Sequence, residues 1–123
     1  MVADHNVKMG RLGEQLAARF LVGKGYRVLA KNFYTRYGEI DLVVSKNDEI
    51  IFVEVKTRTS SEYGYPEVAV DNNKIKNLLK AIQIYFKDNG VKKFWRLDTV
   101  AIELNLENKK AQIRWFKDIT IFF

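Results

Sequence analysis

Residues 38–58, GEIDLVVSKNDEIIFVEVKTR, decide how this chain folds. Residues 40–45 and 49–57 are rich in Ile, Val and Phe, as strands are. Between them stands Lys46-Asn47-Asp48-Glu49, and an Asn-Asp centre tolerates the positive φ of a tight turn. The stretch predicts a hairpin centred between Asn47 and Asp48. A symmetric register then sets Lys46 opposite Glu49, Val43 opposite Phe52, Leu42 opposite Val53 and Asp41 opposite Glu54. Alternation along the pleat puts Asp41, Glu54 and Lys56 on one face. Ile40, Leu42, Val44, Ile51, Val53 and Val55 point the other way.

Three charges inside two apolar strands require a reason. Opposed carboxylates repel and lose hydration, which costs stability. A divalent cation would offset both costs, because Mg²⁺ and Mn²⁺ prefer carboxylate and carbonyl oxygens. Asp41 and Glu54 are the candidate ligands, with the Val55 carbonyl as a further oxygen. Lys56 would then stand close to a phosphate held by the ion, where it could stabilise developing negative charge or help activate water. The competing reading is a Glu54–Lys56 or Asp41–Lys56 ion pair on a solvated face. Spacing alone leaves both open.

Outward from the hairpin, residues 8–22 carry Met9, Leu12, Leu16 and Phe20 at helical spacing, and Gly23 and Gly25 supply a stop. Residues 26–34, YRVLAKNFY, read as a strand. Residues 58–66 are polar, hold the only proline and read as a loop. Asp71 can cap a second helix over residues 72–88, with Ile75, Leu78, Leu79, Ile82 and Phe86 as its apolar stripe. Gly90 ends it. Residues 94–106 and 111–116 form a second hairpin around Glu107-Asn108-Lys109-Lys110. The order is α-β-β-β-α-β-β. A crossover through the second helix makes a mixed sheet the expected α/β arrangement.

The 123 residues suit one domain over 1–123, with residues 1–7 expected as a flexible tail. There is no cysteine, so disulfides and thiolate zinc sites are excluded. The lone histidine, His5, rules out histidine-rich zinc chemistry. No apolar run is long enough to span a membrane, and the N-terminal residues lack a signal-peptide core. A cytoplasmic protein is the expectation. The formal charge of +6 favours a polyanionic partner, nucleic acid first.

Gly38-Glu39-Ile40-Asp41-Leu42 followed by Phe52-Val53-Glu54-Val55-Lys56-Thr57-Arg58 resembles the D…ExK signature of the PD-(D/E)xK nuclease superfamily. Together with Gly13-Glu14, Gly25-Tyr26, Lys31-Asn32 and Gly64, these residues look like the YraN-like family of bacterial proteins, itself distantly similar to archaeal Holliday junction resolvases. The likeness covers most of the chain, from about Gly10 to Ile102. It implies a restriction-endonuclease-like fold, a central mixed β-sheet flanked by α-helices. It also implies that Asp41 and Glu54 are metal ligands, Lys56 the catalytic lysine and Glu14 the first-helix acid. Ile40 stands where the superfamily motif has proline. The activity implied is Mg²⁺- or Mn²⁺-dependent hydrolysis of DNA, with branched or junction DNA as the substrate and a homodimer as the assembly by analogy with resolvases. The rival is a nucleic-acid-binding module with weak or absent turnover.

Other residues admit two readings each. Glu14 could reach the sheet past Gly10, Ala17 and Ala18, or be an ordinary exposed helix acid. Glu39 could approach the metal, or pair with Arg36 or Lys56. Arg36, Arg58 and Lys74 are the candidate nucleic-acid contacts, the last being an unfavourable cation at a helix start. Tyr63 and Tyr65 could stack on bases or cover a core edge. Asp98 reads as structural, paired with Arg96 or Arg114.

Overall fold

The computed structural model describes residues 2–59, 72–90 and 94–122. Its elements are α1 (Val2–Gly23), β1 (Arg27–Thr35), β2 (Gly38–Lys46), β3 (Glu49–Thr59), α2 (Asn72–Asn89), β4 (Phe94–Asn105) and β5 (Lys110–Phe116), closed by a 3₁₀ turn at Ile119–Phe122. The α-β-β-β-α-β-β order is the expected one. The strands form one sheet in the order β1-β2-β3-β4-β5. All neighbours are antiparallel except β3 and β4, which run parallel over Glu49–Phe94 to Thr59–Leu104. A parallel pair cannot be joined by a tight turn. The chain between β3 and β4 therefore contains α2.

The central hairpin forms as its turn chemistry demands. Lys46 pairs with Glu49, and the register runs to Leu42–Val53. Asn47 takes φ 57°, the left-handed conformation that Asn tolerates better than most residues.

Each face of the sheet packs one helix. On one side, Ala17, Ala18 and Leu21 of α1 bury against Leu42, Val44, Ile51, Val53, Val100 and Ile102. On the other, Ile75, Leu78, Ala81, Ile82, Tyr85 and Phe86 of α2 bury against Ile40, Val43, Ile50, Phe52 and Leu97. Phe52 is fully buried, and its ring meets Tyr85, Phe86 and Trp95 edge to face. Central β4 is core from Leu97 to Ile102, and so is Ile119, while Phe94, Trp95 and Leu106 toward its ends are exposed.

Two expectations change. α1 begins at Val2, so residues 2–7, expected within a tail, lie in its first turns. It ends as expected: the Tyr26 N–H reaches the Leu21 carbonyl and the Gly25 N–H the Val22 carbonyl, with Gly25 at φ 95°. Ile40 packs in the α2-side core while Leu42 and Val44 pack in the α1-side core, so the face shared by all three does not exist. The proposed Asp71 cap, Gly64, Tyr63 and Tyr65 lie outside the described residues. No described helix is long and apolar enough to cross a membrane.

Candidate metal and nucleic-acid site

The break in alternation falls on Asp41. Its neighbours Ile40 and Leu42 point to opposite faces, so Asp41 itself lies in the seam between β2 and β3. The backbone register of that pair ends at Leu42–Val53. Beyond that pair, the Val55 N–H donates to Asp41 Oδ2 at 2.7 Å, where a ladder would have offered a carbonyl. This corrects the expected geometry. Asp41 and Glu54 are therefore not ladder partners, although Glu54 lies near enough for its charge to raise Asp41.

Glu14 arrives from α1. The helix can come this near the sheet because Gly13 faces Thr57: a Cβ there would sit 1.8 Å from Thr57 Oγ1. Carboxylate oxygens of Glu14, Glu39 and Asp41 gather within 4.8 Å of one another. Asn32 of β1 helps hold them. Its Nδ2 donates to Glu14 Oε1 at 3.0 Å and also contacts Glu39 Oε1. It adopts φ 51°, which Asn tolerates in mid-strand better than a β-branched residue would. Open clefts of about 250 and 150 Å³ flank Glu14; Arg11 and Asn32 line both, and the larger also has Tyr34 on its wall.

Crowding shows in the chemistry of Asp41. Burial raises its carboxyl, the Val55 N–H lowers it, and the charges of Glu14, Glu39 and Glu54 raise it further, to about 7 from an ordinary 3.8. Glu54 is therefore felt at the seam although it is not among the clustered oxygens. It is buried, and alternation from Phe52 places it on the α2 side. There its Oε1 lies against the Lys74 ammonium from the first turn of α2. The contact is an ion pair, with no donor among the described residues aligned on Oε1 as a hydrogen bond. Thr99, in register with Glu54 across the parallel pair, keeps a buried hydroxyl with no hydrogen-bond partner among the described residues.

The structure thus brings together Glu14, Glu39 and Asp41, and turns Glu54 toward Lys74. Lys56 and Arg58 follow along β3, partly buried, in register with Ala101 and Glu103. Arg36 sits in the turn between β1 and β2, its guanidinium 4.9 Å from the Tyr37 ring centroid. Glu39 joins the acids, and neither suggested partner, Arg36 or Lys56, is needed to place it. Asn32 was legible only as a polar residue in a strand of apolar and aromatic ones, where Asn is disfavoured.

Asp98 is structural, and Arg96 is its partner. Arg96 Nε lies 2.9 Å from Oδ1, Trp115 Nε1 donates to Oδ2 at 2.8 Å, and the Asp118 N–H donates to Oδ1 at 2.8 Å. Arg96 Nη1 continues the network to Glu49 at 2.9 Å.

Comparison with known proteins agrees in extent with these elements. The pattern of the uncharacterised protein family UPF0102 matches residues 13–102, from Gly13 against β3 to the core of β4. A UPF0102 protein of Syntrophomonas wolfei is 46% identical over 108 residues, covering 88% of this chain and 93% of its own. One from Alkaliphilus oremlandii is 44% identical over 109 residues, with the same shares covered. One from Caldanaerobacter subterraneus is 43% identical over 100 residues, 80% of this chain and 82% of its own. With the match spanning both the acid cluster and Glu54, and the relatives aligned along most of their length, this chain belongs to the UPF0102, or YraN, family.

Proposed function

We propose that this protein is a divalent-metal-dependent nuclease that hydrolyses phosphodiester bonds in DNA, branched or junction DNA included. One observation carries the reading. Asp41 is taken from water into a seam where three other acids raise it and a single backbone N–H is its described hydrogen bond. Such crowding is unfavourable unless positive charge arrives from outside.

The donors fit a hard cation. They are carboxylate oxygens, with no thiol in the chain and no histidine among the clustered residues. Asp41, Glu14 and Glu54 would hold Mg²⁺ or Mn²⁺, with Glu39 and the Val55 carbonyl as further oxygens. A bound ion would supply Lewis-acid polarisation of the phosphate and a lowered pKa for the attacking water. The residues of the chain do the rest. Asn32 steadies Glu14 and Glu39, and the Val55 N–H keeps Asp41 in place. Lys56 stabilises the charge that grows on the phosphoryl oxygens as water adds and the leaving oxygen departs. Arg58, Arg36 and Lys74 bind the nucleic-acid backbone, and the net charge of +6 favours the encounter.

A second reading, a binding module with little turnover, draws on two internal contacts. Asn32 bonds Glu14, and Lys74 neutralises Glu54, so part of the acid charge is met without metal. One assay separates the two. Supercoiled, single-stranded and four-way-junction DNA are incubated with Mg²⁺, Mn²⁺ or EDTA, beside a Lys56→Ala protein purified identically. We expect metal-dependent cleavage, slowed about 100-fold or more by Lys56→Ala while binding persists. Cleavage that survives EDTA rejects the mechanism, and metal-independent binding without cleavage selects the module.

A further inference from the structure

Glu54 already carries a cation. Lys74 is the third residue of α2, and no acid occupies that first turn. The free N–H groups of a helix start disfavour positive charge. An ammonium held there needs an anion, and Glu54 provides it. The two partners differ in freedom. The Glu54 side chain is 7% exposed and its backbone is in register with Thr99 of β4, whereas the Lys74 side chain is 53% exposed. A four-carbon stem with water on one side can withdraw without opening the core. Glu54 has no such escape. Nor is its surrounding fully satisfied, because the neighbouring Thr99 hydroxyl has no hydrogen-bond partner among the described residues.

We propose that Lys74 is a tethered counter-cation: it neutralises Glu54 in the metal-free protein, competes with the incoming divalent ion for that carboxylate, and on displacement passes to a phosphate of the bound nucleic acid. The inference rests on the metal-dependent reading above and adds a regulatory contact to it. The tether spares the metal-free protein an isolated buried carboxylate, which would be costly. It also links metal loading to nucleic-acid binding, since the ammonium is released toward solvent only when Glu54 has a new partner.

The test uses the full chain, wild type, Lys74→Gln and Lys74→Arg. Mn²⁺ is titrated calorimetrically without nucleic acid. Removing the competitor makes Lys74→Gln bind Mn²⁺ about three- to tenfold more tightly, while Lys74→Arg, which keeps the charge, stays within about twofold of wild type. Metal-free Lys74→Gln melts at a lower temperature than wild type. In a Lys56→Ala background, fluorescence anisotropy with junction DNA shows Lys74→Gln weakening binding more with Mn²⁺ than without. Equal or weaker Mn²⁺ affinity in Lys74→Gln overturns the proposal and leaves the nuclease reading standing, as does a DNA-binding loss that is the same with and without Mn²⁺. Absence of Mn²⁺ binding in all three proteins removes both.

Discussion

Asp41 and Asp98 are both carboxylates withdrawn from water, and the chain treats them in opposite ways. Asp98 is fully buried, and three donors from β4, β5 and the segment after β5 close on it. Its Arg96 partner is itself raised: burial would lower it, but the bond and charge of Asp98, with Tyr26 and Glu49, outweigh that. Among the described contacts, Asp41 has a backbone donor in Val55 and the like charges of Glu14, Glu39 and Glu54 around it. The first acid completes its own electrostatics within the fold. The second keeps an excess of like charge around it, which holds its carboxyl near 7. That contrast separates an acid satisfied by the architecture from one whose raised carboxyl supports the functional role proposed above.

The strongest way to break the contrast is at Asp98. Asp98→Ala strands Arg96, Trp115 Nε1 and the Asp118 N–H in a buried place. We expect a loss of about 3–5 kcal/mol, as when one partner of a buried ion pair is removed. Urea unfolding measures it. A loss below about 1 kcal/mol would mean that water reaches the network and that Asp98 is no more architectural than a surface acid.

Gly13→Ala sharpens the other side. The new Cβ would overlap Thr57 Oγ1, so α1 must lift away from β3 and carry Glu14 from Asp41. A cost of about 1–3 kcal/mol is expected from overpacking, together with weaker Mn²⁺ binding in a calorimetric titration. Thr57→Ala in the same protein should restore part of both. Unchanged metal affinity despite lowered stability would detach Glu14 from the site.

The smallest effect, and the one of opposite sign, belongs to Asp41→Asn. The Asp41 carboxyl rises on folding from 3.8 to about 7. At low pH it is protonated in both states and neutral to stability. As pH climbs from about 4 toward 7 the unfolded chain releases its proton while the folded one retains it, so stability falls; above about 7 the penalty is constant. Asparagine keeps an acceptor for the Val55 N–H and carries no charge. Allowing for partial solvent access, Asp41→Asn should be about 1–2 kcal/mol more stable than wild type at pH 8 without metal, and equal to it near pH 4. Saturating Mn²⁺ should stabilise wild type by mass action and the variant less. Denaturation curves at the two pH values, with and without Mn²⁺, check both statements. An Asp41→Asn protein weakened at pH 8 would place Asp41 beside Asp98 as a structural acid.

Much of this was legible in the linear chain. Asn47-Asp48 between two apolar runs sets the hairpin register, because a two-residue turn leaves little choice of pairing. The spacing of Ile75, Leu78, Ile82 and Phe86 marks the buried stripe of α2, because one helix face must cover one sheet face. Gly25 marks the end of α1 through its positive φ. The D…ExK pattern pointed to Asp41, Glu54 and Lys56. What alternation could not supply was the direction of Asp41, since period two holds only while the ladder is unbroken, and it is the Asp41 side chain itself that takes the place of the next ladder bond.

Local pattern alone therefore settled which segments become strands and helices, how the central hairpin pairs, and which acids are candidates, since each of these depends on neighbours a few residues away. Only tertiary structure decided that Glu14 and Asn32 would meet Asp41 and Glu39, that Lys74 would meet Glu54, and that Trp115 and the Asp118 amide would join Arg96 at Asp98. Those encounters span long stretches of chain. They depend on how near a glycine lets a helix approach, on which face a crossover helix covers and on where a ladder stops, and none of these distances is written in the spacing of residues along the chain.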